Sequence, residues 1–231
     1  MNKPGFIVTQ GAKPLLEWSP GNVSLTCDGN SLTNQNEYTP AYPLLMLDMS
    51  PVTDAAIQRV IDVGYPGDTA AMMKSKRGRV TSAYDPTVKH NVLVAWELTN
   101  SIFYGETPAQ AVDDLIDYVR TVKSENNWKV AVVTSIPRGA GKNNQSATQS
   151  NIDQYNADLL TANNMLKARW SEAADLLIDI REDGSPFAFQ TFQIGQFVAS
   201  RLYVPDNIHC TPYGYSVVAQ IVAKHLTKMP A

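Results

Sequence analysis

Two cysteines in 231 residues, Cys27 and Cys210, are too few for a disulfide scaffold or a zinc cage. Two buried free thiols are the plain expectation, although both flank motifs discussed below and would come within bridging reach if those motifs meet. No run of roughly 18 apolar residues occurs, so no membrane span is expected. Positive charge is not in excess: 19 Lys and Arg stand against 22 Asp and Glu. The resulting net charge of -3 gives no electrostatic case for nucleic acid, which calls for a basic face. The stretch MNKPGFIVTQGAKPLLEW offers only a short apolar patch, Gly5 to Val8, too short for the core of a secretory signal. The expectation is a protein that acts where it is made, in the cytoplasm, or one cut from a larger or virion-associated assembly. Asn22-Val23-Ser24 and Asn144-Gln145-Ser146 fit the glycosylation sequon and are read as chance.

What is present suits one packed domain. Hydrophobic residues make up 44% and charged residues 18%, at a length where a single core is still economical. Residues 1–22, with prolines at 4, 14 and 20, read as an arm packed on a domain spanning 23–231. Val23, Leu25 and Cys27 alternate with polar neighbours, as in a half-buried strand. Tyr38 to Met49 reads as a helix disturbed by Pro40 and Pro43, and Arg59 to Val63 as a second strand. Asn91 to Leu98 is nearly continuous in apolar character, the mark of a strand buried on both faces. Thr107 and Pro108 open a helix over Ala109 to Ser124. Strands at Trp128 to Ile136 and Ala174 to Ile180 alternate with helices at Asn151 to Trp170 and Pro212 to Leu226. Such alternation predicts an α/β fold, a three-layer sandwich around a parallel sheet of about five strands. Ligands then bind at the carboxyl ends of the strands.

Those ends carry a particular set of residues. Gly29-Asn30-Ser31 follows the first strand, Gly64, Pro66 and Gly67 the second, and Thr99-Asn100-Ser101 the third. Just before the last helix stands PDNIHCTPYGY, with Asp206 and His209 three apart. These are parts for acyl-ester hydrolysis. A serine hydroxyl is a poor nucleophile until an imidazole takes its proton, and the imidazole needs a carboxylate to hold its tautomer. The oxyanion of the tetrahedral intermediate needs fixed donors, which the N–H groups of Ser31 and Gly67 and the Asn100 amide would supply.

Four blocks in this order, CDGNSLT, VGYPGDT, AWELTNSI and DNIHCTPYGY, resemble those of the SGNH hydrolases, the GDSL-type esterase/lipase superfamily. The resemblance runs over roughly residues 23 to 227. It implies a flavodoxin-like fold, with Ser31 as nucleophile, His209 as general base and acid, and Asp206 as its orienting carboxylate. It also implies an oxyanion hole of Ser31, Gly67 and Asn100, with no metal or cofactor. Asn30 stands where the family has an aspartate, and Leu98-Thr99-Asn100-Ser101 where it has Gly-Thr-Asn-Asp. Leu98 in place of that glycine is expected to narrow the acyl pocket. The reading is a serine esterase for short acyl groups, such as acetyl, on a carbohydrate or other polar carrier, the partner being a small-molecule or glycan ester. Alternatives are a short-chain lipase or thioesterase, and a weakly active or inactive glycan-binding module of a surface or phage-tail protein.

Other features weigh less. Arg138 to Gln145, RGAGKNNQ, resembles a phosphate-binding loop, but Ile136 stands where its first glycine belongs and Asn143 where its Ser or Thr belongs. The segment is read as a surface loop. Ser185 to Phe197 carries four phenylalanines that either wall a pocket or pack onto the core. His90 and His225 are read as surface residues. Glu97, ending an apolar strand, reaches either the site or a partner in the layer below.

Overall fold

Val23–Gly29, His90–Trp96 and Trp128–Val133 form the long middle strands β1, β3 and β4 of a five-stranded sheet. Ile61–Asp62 (β2) and Leu176–Ile178 (β5) close its edges. All pairs are parallel and the order is β2-β1-β3-β4-β5, so the expected α/β sandwich is what the chain adopts. A computed structural model gives this architecture and describes residues 14–34, 40–55, 60–141, 148–188, 190–193 and 201–231. β1 and β3 run in register from Val23 opposite His90 to Gly29 opposite Trp96, so both strands end at the same height. In this strand order successive connections leave β1 and β3 on opposite sides, which opens a crevice between their carboxyl ends.

The strand residues sort into two cores. Val23, Leu25, Cys27, Val92, Val94 and Trp96 face one layer, containing α1 (Tyr42–Leu45) and α7 (Pro212–Leu226). Leu93, Ala95, Val130 and Val132 face the other, which holds α2 (Ala70–Ser75), α3 (Gly78–Thr81), α4 (Thr99–Phe103), α5 (Pro108–Glu125) and α6 (Gln149–Arg169). β1 is therefore not half-buried as its alternation suggests. Thr26 and Asp28 are as buried as the apolar residues between them, because helices cover both faces of a parallel sheet.

Local chemistry sets the helix limits. Thr107 accepts from the Gln110 N–H and Pro108 follows it, so α5 starts where the sequence places it. Ile152, Tyr155, Leu159, Ala162 and Leu166 make the apolar stripe of α6 at helical spacing. The isoleucine and leucine side chains contribute about 1.5–3 kcal/mol each when fully buried. The helix expected over Tyr38 to Met49 is reduced to α1 and a 3-10 turn at Met46–Asp48; Tyr38 and Thr39 lie outside the described residues. Of the expected second strand only Ile61 and Asp62 pair as a strand, and Arg59 lies outside the described residues. The segment after it divides into α2 and α3. Before β1, Leu15 pairs antiparallel with Pro230, and the Leu16 N–H donates to the Met229 carbonyl at 2.7 Å.

Candidate active site

Ser31 sits on a tight turn directly beyond β1. The N–H groups of Thr33 and Asn34 both donate to the Asn30 carbonyl at 3.0 Å, and the Leu32 N–H donates to the Asn30 side-chain oxygen at 2.9 Å. Gly29 makes the turn possible. A Cβ there would overlap the Thr33 hydroxyl and stand 2.5 Å from the Trp96 carbonyl oxygen. The strand thus ends in a turn that lifts the Ser31 hydroxyl out of the sheet while Leu32 is tucked into the core.

His209 reaches that hydroxyl from the other end of the chain. Its Nε2 lies 2.9 Å from Ser31 Oγ and its Nδ1 lies 2.6 Å from Asp206 Oδ2. A carboxylate only accepts, so Nδ1 carries the proton and Nε2 is left to accept from Ser31. Asp206 also receives the N–H groups of Ile208 and His209 on Oδ1, at 2.8 and 2.9 Å. Burial works to raise the Asp206 pKa, but the His209 ring and these two N–H groups outweigh it and hold the carboxyl below its ordinary value. The loop is anchored at both ends. The Val204 N–H donates to the His209 carbonyl, Thr211 to Leu202, and Gly139 to Asn207 at 2.7 Å. Asn207 turns the corner with φ of 55°, a conformation asparagine tolerates better than most residues.

Two further blocks meet this pair from β2 and β3. Gly67 turns with φ of 81°, and the Asn100 side chain donates to the Asp68 carbonyl at 3.1 Å, tying the second block to the third. Among the described residues, neither the Ser31 nor the Gly67 N–H donates a hydrogen bond. The Asn100 amide keeps a second N–H beyond the one given to Asp68. Beneath them lies Glu97, with no exposed surface. Its Oε1 accepts from the Asn100 N–H at 2.6 Å, the Ser101 N–H at 3.3 Å and the Asn30 side chain at 3.3 Å, while Oε2 accepts from the Ser101 hydroxyl at 2.9 Å. Glu97 caps α4 and ends β3 at Trp96, two residues before the apolar run suggests. Burial pushes its carboxyl up to about 7 despite these donors.

No protein-family model and no curated sequence matches the chain, so likeness to known proteins rests on the backbone. Solved structures match over most of their length. A member of the lipolytic G-D-S-L family from Veillonella parvula is 19% identical with a TM-score of 0.60, covering 90% of this chain and 100% of that one. A variant of an acetyl xylan esterase from Geobacillus stearothermophilus is 15% identical with a TM-score of 0.62, covering 92% and 98%. A GDSL-like lipase from Bacteroides thetaiotaomicron is 12% identical with a TM-score of 0.61, covering 90% and 89%. The chain has the SGNH hydrolase fold.

Within this fold all five residues singled out in the sequence fall at the carboxyl end of the sheet or on the loop that packs there. Several neighbours escaped the sequence reading. Asp28, wholly buried in β1, accepts from Arg79 at 2.7 Å and from the Tyr118 hydroxyl at 2.6 Å. Arg79 also donates to Asp68 at 2.7 Å, so one guanidinium ties the strand that leads to Ser31 to the residue after Gly67. Burial pushes the Asp28 carboxyl up to about 6, against the pull of Arg79 and Tyr118. The one sequence signal for this cluster is a carboxylate near the end of a strand whose other polar residues, Ser24 and Thr26, are uncharged.

Some expectations are corrected. Leu98 turns into the core with Leu93, Ala95 and Ile102 and does not narrow an acyl pocket. Arg138 and Gly141 are buried, so the segment from 138 is no surface loop at its start; residues 142–147 lie outside the described ones. His225 is buried with Nε2 3.0 Å from Glu182, whereas His90 is partly buried at the start of β3. Phe187 and Phe192 pack edge-on against Tyr203, with ring centres 5.9 and 5.1 Å apart, so these two are core; Phe189 and Phe197 lie outside the described residues. Cys27 and Cys210 are both free and buried.

Proposed function

We propose that the chain is a serine ester hydrolase working through an acyl-enzyme. The observation that carries this reading is the continuous chain from Ser31 Oγ through His209 to Asp206, with links of 2.9 and 2.6 Å. Ser31 Oγ attacks the ester carbonyl carbon while its proton passes to His209 Nε2. Asp206 stabilises the imidazolium so formed. The Ser31 and Gly67 N–H groups and the Asn100 amide receive the developing oxyanion. Nε2 then returns the proton to the leaving alkoxide, and a water repeats the sequence to release the acid.

Short acyl groups on a polar carrier, such as an acetylated carbohydrate, fit the surroundings best. The residues meeting at Ser31 are mostly amides and charged groups. Tyr65 and Tyr104, 56% and 50% exposed, flank the Gly67 turn; Lys76 Nζ covers one face of Tyr65 at 4.4 Å, which leaves its other face and the Tyr104 ring as surfaces of the kind sugars stack on. Tyr104 Oη lies 3.8 Å from where a Cβ on Gly67 would stand.

A fluorophosphonate tests the reaction. One equivalent is expected to add to the folded protein at Ser31, and Ser31→Ala should lose both labelling and turnover of p-nitrophenyl acetate. Loss of turnover is expected to reach at least about a thousandfold, as for other members of a coupled nucleophile–base pair. Folded protein that neither labels nor turns over would overturn the enzyme reading in favour of a glycan-binding module. Rates that climb with acyl length beyond butyrate would instead favour a lipase or thioesterase.

A further inference from the structure

Arg138, just beyond β4, is 4% exposed, yet its guanidinium makes no hydrogen bond or ion pair among the described residues. Its Nε is sealed from solvent without a partner. What touches the group is aromatic: its central carbon lies 4.2 Å from the ring centre of Phe103 and 4.9 Å from that of Tyr155. The backbone, by contrast, is fully engaged. Its N–H donates to the Asn156 side chain at 3.0 Å and its carbonyl accepts from that side chain at 2.8 Å. The fold thus fixes the main chain and stacks the side chain, but leaves the guanidinium N–H groups without a partner among the described residues, Nε sealed from solvent and the two terminal nitrogens facing it. A guanidinium stays charged at any working pH, and ring faces compensate only part of its lost hydration. A nearly buried guanidinium with no protein acceptor is uncommon, and its two terminal nitrogens are the edge an outside acceptor can reach.

Its position says what that acceptor belongs to. Phe103 lies on α4, three residues past Asn100, and the Tyr155 hydroxyl donates to the Thr99 carbonyl at 3.1 Å. On the other side, the Gly139 N–H donates to the Asn207 carbonyl, next to Asp206. Gly139 allows that approach, since a Cβ there would stand 2.6 Å from the Cβ of Asn207. Arg138 is therefore wedged between the helix that carries Asn100 and the loop that carries His209.

We infer that Arg138 is the binding site for an anionic group, carboxylate or phosphate, on the carrier of the ester that Ser31 attacks. The planar fork of a guanidinium matches two oxygens of either group, and the two rings hold it in one orientation beforehand. This differs from the rejected phosphate-loop reading, which would rest on backbone amides and Lys142. The inference rests on the ester hydrolase reading for its placement of the substrate.

The test compares kcat/KM for O-acetylated glucuronic acid, its methyl ester, and O-acetylated glucose 6-phosphate. The natural protein is expected to favour one or both charged esters over the methyl ester by about tenfold or more, the range of a charge-assisted pair. Arg138→Met should bring that ratio close to one. Arg138→Lys, which keeps charge but loses the fork, should leave an intermediate ratio and covers the case in which the Met variant fails to fold. Lys228→Met, an equal change in net charge at an exposed position, should leave the ratio as it was. Which charged ester is preferred tells a carboxylate site from a phosphate site. Equal rates on charged and neutral esters in the natural protein, or equal losses on both in Arg138→Met, would overturn the inference. If Ser31 neither labels nor turns over any ester, the hydrolase reading has failed separately. Calorimetric binding of glucuronate and inorganic phosphate then decides: binding lost in Arg138→Met upholds the anion site, and no binding to the natural protein removes it.

Discussion

Asn30 brings an amide, and Glu97 the buried carboxyl, to the turn that carries Ser31. The family resemblance leads one to expect a carboxylate beside the nucleophile, and Asn30 supplies none. Glu97 supplies it from the neighbouring strand instead, accepting from Asn30, Asn100 and Ser101 at once. It touches none of the atoms proposed to react, and its hydrogen bonds to Asn30 and Asn100 hold the Ser31 turn against the start of α4. Glu97→Gln keeps the shape but loses an acceptor, and above about pH 7, where the carboxyl is ionised, hydrogen bonds to such a charged group contribute about 1.5–3 kcal/mol. The expected outcome is a kcat lowered about tenfold to a hundredfold with KM little changed. The pH dependence of stability gives an independent readout. The folded carboxyl titrates near 7 against an ordinary 4.5, so between these values the folded state holds a proton that the unfolded chain has released. Stability from this group is therefore full at low pH and declines as pH rises through about 7. A thermal melt series from pH 5 to 8 should show a steeper decline in the natural protein than in Glu97→Gln.

The elements show which parts of the fold were legible beforehand. Helix α7 begins and ends where the sequence places it, because Thr211 caps it, Pro212 opens it and its apolar face runs unbroken. Strand and helix alternation gave the sheet; serine, glycine and asparagine at the strand ends gave three candidate residues, and the aspartate and histidine three apart before α7 gave the other two. Leu98, Arg138 and Asp28 were not legible, since nothing local distinguishes a leucine at a pocket rim from one in the core. An arginine followed by glycines likewise reads as exposed until Phe103 and Tyr155 are brought to it from α4 and α6. The glycines show the same contrast in testable form. Gly29→Ala forces a Cβ against the Trp96 carbonyl, so β1 and β3 must part where the site begins, and the melting temperature and activity should both fall. Gly78→Ala, at the start of α3 with nothing within 4 Å, should instead raise stability by about 0.4–1 kcal/mol.

At the scale of the whole molecule, both thiols belong to the same core, together with Val23, Trp96 and Tyr215. Burial pushes the pKa of each well above its ordinary value, which removes the reactive thiolate. A disulfide reagent such as Ellman's should therefore find both cysteines only at the rate of global unfolding, and the native mass should not change on reduction. The same long-range assembly governs the site. Ser31, Gly67 and Asn100 are contributed by the first half of the chain, and Asp206 and His209 by a loop between β5 and α7, joined to them across 178 residues. Severed between Gly141 and Thr148, the polypeptide would yield one fragment holding the hydroxyl and another holding the imidazole. Under the proposed mechanism neither piece should cleave an ester alone, and turnover should return only when the two find each other, which makes this scaffold a natural starting point for a complementation reporter.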